Sequence, residues 1–124
     1  MNSHSGYYLW AAEQLVASGL AVYALDLHGR GKSDGERFYL EKIAHYVGDV
    51  DAVVTLAKSR EPGLPVFLLG HSAGGVTSCV LRHRRREGQT LKLYDGHVHD
   101  VLNDYGKGKV MADITGWINA RLPR

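Results

Sequence analysis

Val66-Phe67-Leu68-Leu69-Gly70-His71-Ser72-Ala73-Gly74 is the stretch on which the fold reading turns. Four apolar residues bounded by proline and glycine read as a short buried strand. The G-x-S-x-G pattern that follows reads as a sharp turn into a helix, with Ser72 at its apex. Small residues on either side of such a serine let chain segments approach closely and tolerate a strained backbone. The hydroxyl then projects above the carboxyl end of a sheet. The amide after it, that of Ala73, faces the space where an oxyanion would develop. Ser72 is therefore a candidate nucleophile and Ala73 a candidate oxyanion donor.

Working outward, helical spacing recurs on both sides. Tyr8, Ala11, Ala12, Leu15 and Val16 predict a helix over 7–18, with Gly19 as its stop. The run LAVYAL (20–25) reads as a buried parallel strand, followed by the polar loop 26–36. Ile43, Tyr46, Val47, Val50, Val54 and Ala57 predict a second helix within 38–60, punctuated by Pro62, Gly63 and Pro65. The helix after the serine places Val76, Val80 and His83 on one face and ends near Gly88. The alternating TLKLY (90–94) reads as an edge strand. After the loop 95–106, Val110, Ile114, Trp117 and Ile118 predict a last helix over about 107–121, with Arg121 favourable near its end.

Strands alternating with helices argue for an α/β fold. Right-handed crossovers give a three-layer sandwich, with a short, mainly parallel sheet of about three strands and helices on both faces. The length of 124 residues suits a single domain, 1–124. With 44% hydrophobic and 23% charged residues, the composition is that of a soluble globular protein. A net charge of +2 is too small to imply a nucleic-acid partner, and the run Arg84-Arg85-Arg86 reads as a solvated helix end. The single Cys79 excludes an internal disulfide, no apolar stretch is long enough to span a membrane, and no secretory leader is visible. A cytoplasmic location is the expectation.

Four segments carry a family resemblance: NSHSGYY (2–8), DLHGRGKSDGER (26–37), PVFLLGHSAGG (65–75) and LYDGHVHDVLND (93–104). Together they resemble the α/β-hydrolases of the monoacylglycerol lipase and lysophospholipase branch, the serine-aminopeptidase-like hydrolases, in much shortened form. The resemblance implies a reduced α/β-hydrolase core and a serine ester hydrolase without a cofactor. Ser72 is then the nucleophile and His99, after the last strand, the base. His97, close by but off the match, is the weaker candidate for the base. The second oxyanion donor falls at Met1.

The segment that supplies the acid in the family is absent, as are two strands and the lid. Asp95, at the end of the third strand, is the nearest carboxylate by topology, and Asp26 is the other candidate. An open site without a lid favours a small ester substrate with a short acyl chain. The competing reading is an inactive remnant serving as a scaffold or interaction module. Exposed sheet edges predict a tendency to form a homodimer.

Three lesser patterns are discounted. Gly31-Lys32-Ser33 lacks the first glycine of a phosphate loop, since Asp26 occupies its place. Gly29 and Gly31 lack the third glycine of a dinucleotide motif. His97 and His99 lack the further spaced ligands of a metal site, so no metal is expected.

Overall fold

The computed structural model describes residues 4–85 and 92–123, with the backbone alone at 82–85. The chain divides into two compact units, one drawn mainly from Leu25–Leu93 and the other from Ser5–Ala24 and Tyr94–Arg124. Each is organised around a pair of helices.

In the first unit the pair is α2 (Ile43–Arg60) and α3 (Ala73–Arg85). Tyr46, Val47, Val50, Val54 and Ala57 are buried on α2, a spacing that follows one helical face. Lys58 and Arg60 occupy its last turn, where cations complement the helix dipole. Thr77 and Leu81, one turn apart, are buried on α3. Val47, Val50, Val54 and Leu81 form the core, and Leu25, Leu27, Leu68 and Val80 pack around it.

In the second unit, a 3-10 turn (Ser5–Tyr8) leads into α1 (Leu9–Ala17), which packs against α4 (Lys107–Asn119). Ala11 and Leu15 on α1 and Val110, Met111 and Ile118 on α4 are buried. The Lys107 ammonium lies 4.3 Å from the centre of the Trp10 ring, a cation–π contact between the two helices. Gly19 ends α1 as the spacing predicts. At φ +82° it lets Leu20 N–H reach the Leu15 carbonyl while its own N–H reaches Val16, a Schellman closure.

The expected sheet is not there. Among the described residues the elements are helical, and neither 20–25 nor 66–69 carries a β-ladder. The third expected strand, 90–94, is described only at 92–94, where it is irregular as well. The three-layer α/β sandwich is therefore overturned, and dimerisation through sheet edges loses its premise. The physical reason lies in what an apolar run reports. It records a demand for burial, not the presence of a hydrogen-bonding neighbour. Leu25, Leu27 and Leu68 meet that demand against helices, while Val66 and Leu69 remain exposed.

Three helical faces also differ from the expected ones, and on α1 Val16 is 58% exposed. Val76 is 57% exposed, so α3 buries Thr77 and Leu81, with Val80 of the expected face packed at the edge of the core. Ile43 is exposed because it is the first residue of α2, with Lys42 still extended before it.

Candidate active site

The segment entering α3 has the geometry of a tight elbow. Ser72 has φ +53°, a left-handed conformation that costs a residue with a Cβ about 1–2 kcal/mol. Gly74 N–H donates to the His71 carbonyl at 2.9 Å, closing the turn around Ser72. Val76 N–H donates to the Ser72 carbonyl at 3.1 Å, the first bond of the helix. Thr77, fully buried, donates its hydroxyl to the Ala73 carbonyl at 2.8 Å and ties down the first turn. Ser72 and Ala73 are both exposed. Ala73 is the first helical residue, and amides of a first turn have no acceptor within their own helix.

The glycines divide the work unevenly. A Cβ on Gly70 would sit 2.4 Å from the Gly74 carbonyl oxygen and 2.7 Å from Ser78 Oγ. One on Gly75 would sit 3.4 Å from the Gly70 carbonyl. A Cβ on Gly74 would meet nothing within 4 Å. Close approach of the entering segment to α3 thus rests on Gly70, with Gly75 in ordinary contact. Gly70→Ala is expected to cost about 1–3 kcal/mol, as overpacking against backbone does. Gly74→Ala is expected to cost far less, and urea unfolding of the two variants measures the difference.

The loop 26–37 is folded on itself and fastened to α2. Asp26 Oδ2 accepts the Lys32 N–H at 3.0 Å, so this carboxylate organises its own turn. Arg37 donates to the carbonyls of Gly31, Ser33 and Gly35. Asp49 Oδ2 accepts both the His28 backbone N–H, at 3.0 Å, and His28 Nδ1, at 2.7 Å. Arg30 Nε donates to the Tyr46 hydroxyl at 3.2 Å. Sequence reasoning missed the His28–Asp49 pair. Its signal was an aspartate lying between Tyr46 and Val50 on the apolar face of α2, a position that demands a partner.

In the second unit, His97 and His99 stand on the loop between Tyr94 and α4. Tyr94 donates its hydroxyl to Asp113 Oδ2 at 3.0 Å, and its ring meets the edge of His97 with centroids 5.7 Å apart. Burial, then the hydrogen bond to Asp113, pushes the Tyr94 phenol above its usual value. Asp104 is the organising carboxylate. Its Oδ2 accepts the Val98 N–H at 2.8 Å and its Oδ1 the Tyr105 N–H at 2.7 Å. Its Oδ2 also lies 3.3 Å from His97 Nδ1, within ion-pair distance though not aligned as a hydrogen bond. His99 and Asp95 are exposed on the same loop.

The Val98 and Tyr105 amides hold the Asp104 carboxyl below its usual value of 3.8, and His97 adds to the effect. A depressed folded value stabilises the fold above the unfolded one. That contribution is lost as pH falls from about 4 through the lower folded value. The stability difference between the parent protein and Asp104→Asn is therefore expected at neutral pH and to shrink in acid. Thermal unfolding of both at pH 7 and pH 3 checks this.

Ser72 and Ala73 thus belong to the first unit, and Asp95 and His99 to the second. Met1 lies outside the described residues. No group of three or more metal-ligating side chains is found among the described residues, and no helix among them is long and apolar enough to cross a membrane.

Residues 1–88 match the serine aminopeptidase S33 family, and the chain belongs to that hydrolase family. Within it, the likeness is to the monoacylglycerol lipase branch of the α/β-hydrolases. The chain is 44% identical over 77 residues to a monoglyceride lipase homolog of monkeypox virus, covering 62% of this chain and 28% of that protein. It is 43% identical over 72 residues to a monoacylglycerol lipase of Mycolicibacterium smegmatis, covering 58% and 26%. To a human monoglyceride lipase it is 42% identical over 82 residues, covering 66% and 27%. The matched region thus spans about a quarter of the length of these relatives. The family match takes in the serine elbow and the loop 26–37 and stops before the histidine loop.

Proposed function

We propose that the chain carries the nucleophile of a serine ester hydrolase of carboxylesterase or lipase type. The observation that supports this best is Ser72 at φ +53° at the head of α3, within Gly70–Gly74, in a chain of the S33 family. The monoacylglycerol lipases among its relatives suggest a small acyl ester as substrate.

In this reading Ser72 Oγ attacks the ester carbonyl and His99 takes its proton. The Ala73 N–H stabilises the oxyanion, with a second donor at Met1. The tetrahedral intermediate collapses, and the alcohol leaves with the proton held by His99. Water then attacks the acyl-serine, giving up a proton to His99, and the free acid and Ser72 are regenerated. A carboxylate should hold the imidazole in its productive tautomer. By order in the chain that carboxylate is Asp95.

A catalytically silent scaffold or interaction module is the competing reading. It is favoured by the absence of a β-ladder behind the elbow among the described residues. A fluorophosphonate probe separates the two. Covalent labelling of the intact, folded protein, with hydrolysis of a short activated ester, is the expected result. A folded sample, confirmed by circular dichroism, that neither labels nor hydrolyses would overturn it.

A further inference from the structure

We propose that Asp104 is the positioning carboxylate of the histidine loop, fixing the backbone between His97 and His99 through the Val98 amide and setting the His97 tautomer by its charge beside Nδ1. This rests on the reading above that the loop supplies the base, and it gives Asp104 a different task from the one chain order offered to Asp95: setting the path of the loop rather than holding the His99 ring.

The argument begins with where the carboxylates lie. Asp95 is exposed in the turn 95–96. Asp104 is turned inward, with 18% of its side chain exposed, against a His97 side chain that is 17% exposed. Both of its oxygens are engaged by backbone amides, at 2.8 Å from Val98 and 2.7 Å from Tyr105. The carboxylate therefore cannot swing away without releasing the loop.

Val98 separates the two histidines, so the amide that Asp104 holds sets the path of the chain on both sides of it. A carboxylate oxygen has a second lone pair, and His97 Nδ1 lies 3.3 Å from the oxygen that receives Val98. An ionised carboxylate only accepts, so it favours the imidazole tautomer with its proton on Nδ1. That leaves Nε2 as the basic nitrogen of His97, on the ring edge that faces Gly106. The contact is not aligned as a hydrogen bond, so Asp104 acts on the His97 proton through its charge at 3.3 Å. Tyr94, packed edge-on at 5.7 Å, limits how far the His97 ring can turn.

The test uses the full-length chain and two readouts. Nitrogen-15 NMR of the imidazoles reports which nitrogen of each histidine carries the proton. Fluorophosphonate labelling reports the reactivity of Ser72. The expected result is a His97 with its proton on Nδ1, which moves to Nε2 in Asp104→Asn. Labelling should fall on the order of 100-fold in that variant, and Asp104→Glu should recover part of the loss. Asp100→Asn, a change of carboxylate in the same loop, should label at close to the parent rate. An unchanged His97 tautomer in Asp104→Asn would overturn the proposal. So would an Asp100→Asn variant as slow as Asp104→Asn, which would mean general damage to the loop. If the parent chain shows no serine-dependent labelling, the hydrolase reading fails, and the His97 tautomer still decides the role of Asp104.

Discussion

Ser72→Ala is expected to reduce fluorophosphonate labelling and ester hydrolysis to background while leaving the fold intact. Removing a triad nucleophile leaves only the small catalysis that binding and oxyanion donors supply. In the reading proposed above the described donor is the Ala73 amide at the head of α3, so the residual activity should be slight. A second substitution makes the test sharper. Ser72 sits at φ +53°, where a Cβ is penalised and glycine is not. Ser72→Gly should therefore raise stability by about 1 kcal/mol while also abolishing labelling. Opposite movements of stability and reactivity at one position are what a nucleophile held under strain produces. A serine serving only as a small turn residue would show the gain in stability with no reactivity to lose. The two variants, compared by urea unfolding and by probe labelling, distinguish these cases directly. If Ser72→Ala labels as well as the parent, Ser72 is not the reacting group.

What the sequence disclosed about the site follows the range of each interaction. The elbow at Gly70–Ser72 was legible because its demands are local. A positive φ and a close approach within five residues are both written in residue type. The contribution of Gly74 was overstated, since a Cβ there meets nothing, while Gly70 contacts backbone and Ser78. Asp104 escaped notice because its partners are two backbone amides, which no side-chain pattern announces. His28–Asp49 escaped for a different reason. It bridges 21 residues, and only the misfit of a carboxylate on an apolar helix face pointed to it.

The fold divides along the same line. Helical periodicity compares residues three and four apart, so it is settled within one element. Tyr46, Val47, Val50, Val54 and Ala57 were identified correctly, as were Val110 and Ile118. Where helical residues were misplaced, as at Val76, hydrophobicity misled. The buried face carries Thr77, whose hydroxyl is satisfied by the Ala73 carbonyl and so can enter the interior. A sheet is a non-local object. LAVYAL and VFLL each have strand composition, yet a strand exists only when another chain segment offers a ladder at the right register. Composition could not supply that neighbour.

Tyr46→Ala is expected to be among the most damaging single changes to stability, at about 3–5 kcal/mol, the range for truncating a buried aromatic ring. The ring is 1% exposed, on the buried face of α2 beside Val47 and Val50. It also contacts His28, with ring centroids 4.9 Å apart, and its hydroxyl accepts the Arg30 Nε–H. Truncation therefore leaves a cavity between α2 and the 26–37 loop and removes the acceptor that fastens that loop at Arg30. The two effects separate in Tyr46→Phe, which keeps the ring and loses only the hydroxyl, at about 1 kcal/mol. Urea unfolding gives both values, and limited proteolysis within 26–37 reports the loop. Because Asp49 still holds His28 by two bonds, the loop should loosen in Tyr46→Phe without coming free. Cleavage should accelerate strongly only in Tyr46→Ala, where the surface beneath the His28 ring is gone. A Tyr46→Ala protein with an unchanged urea midpoint would show that the 26–37 loop is not packed onto α2 through this ring, and that His28–Asp49 alone fastens it.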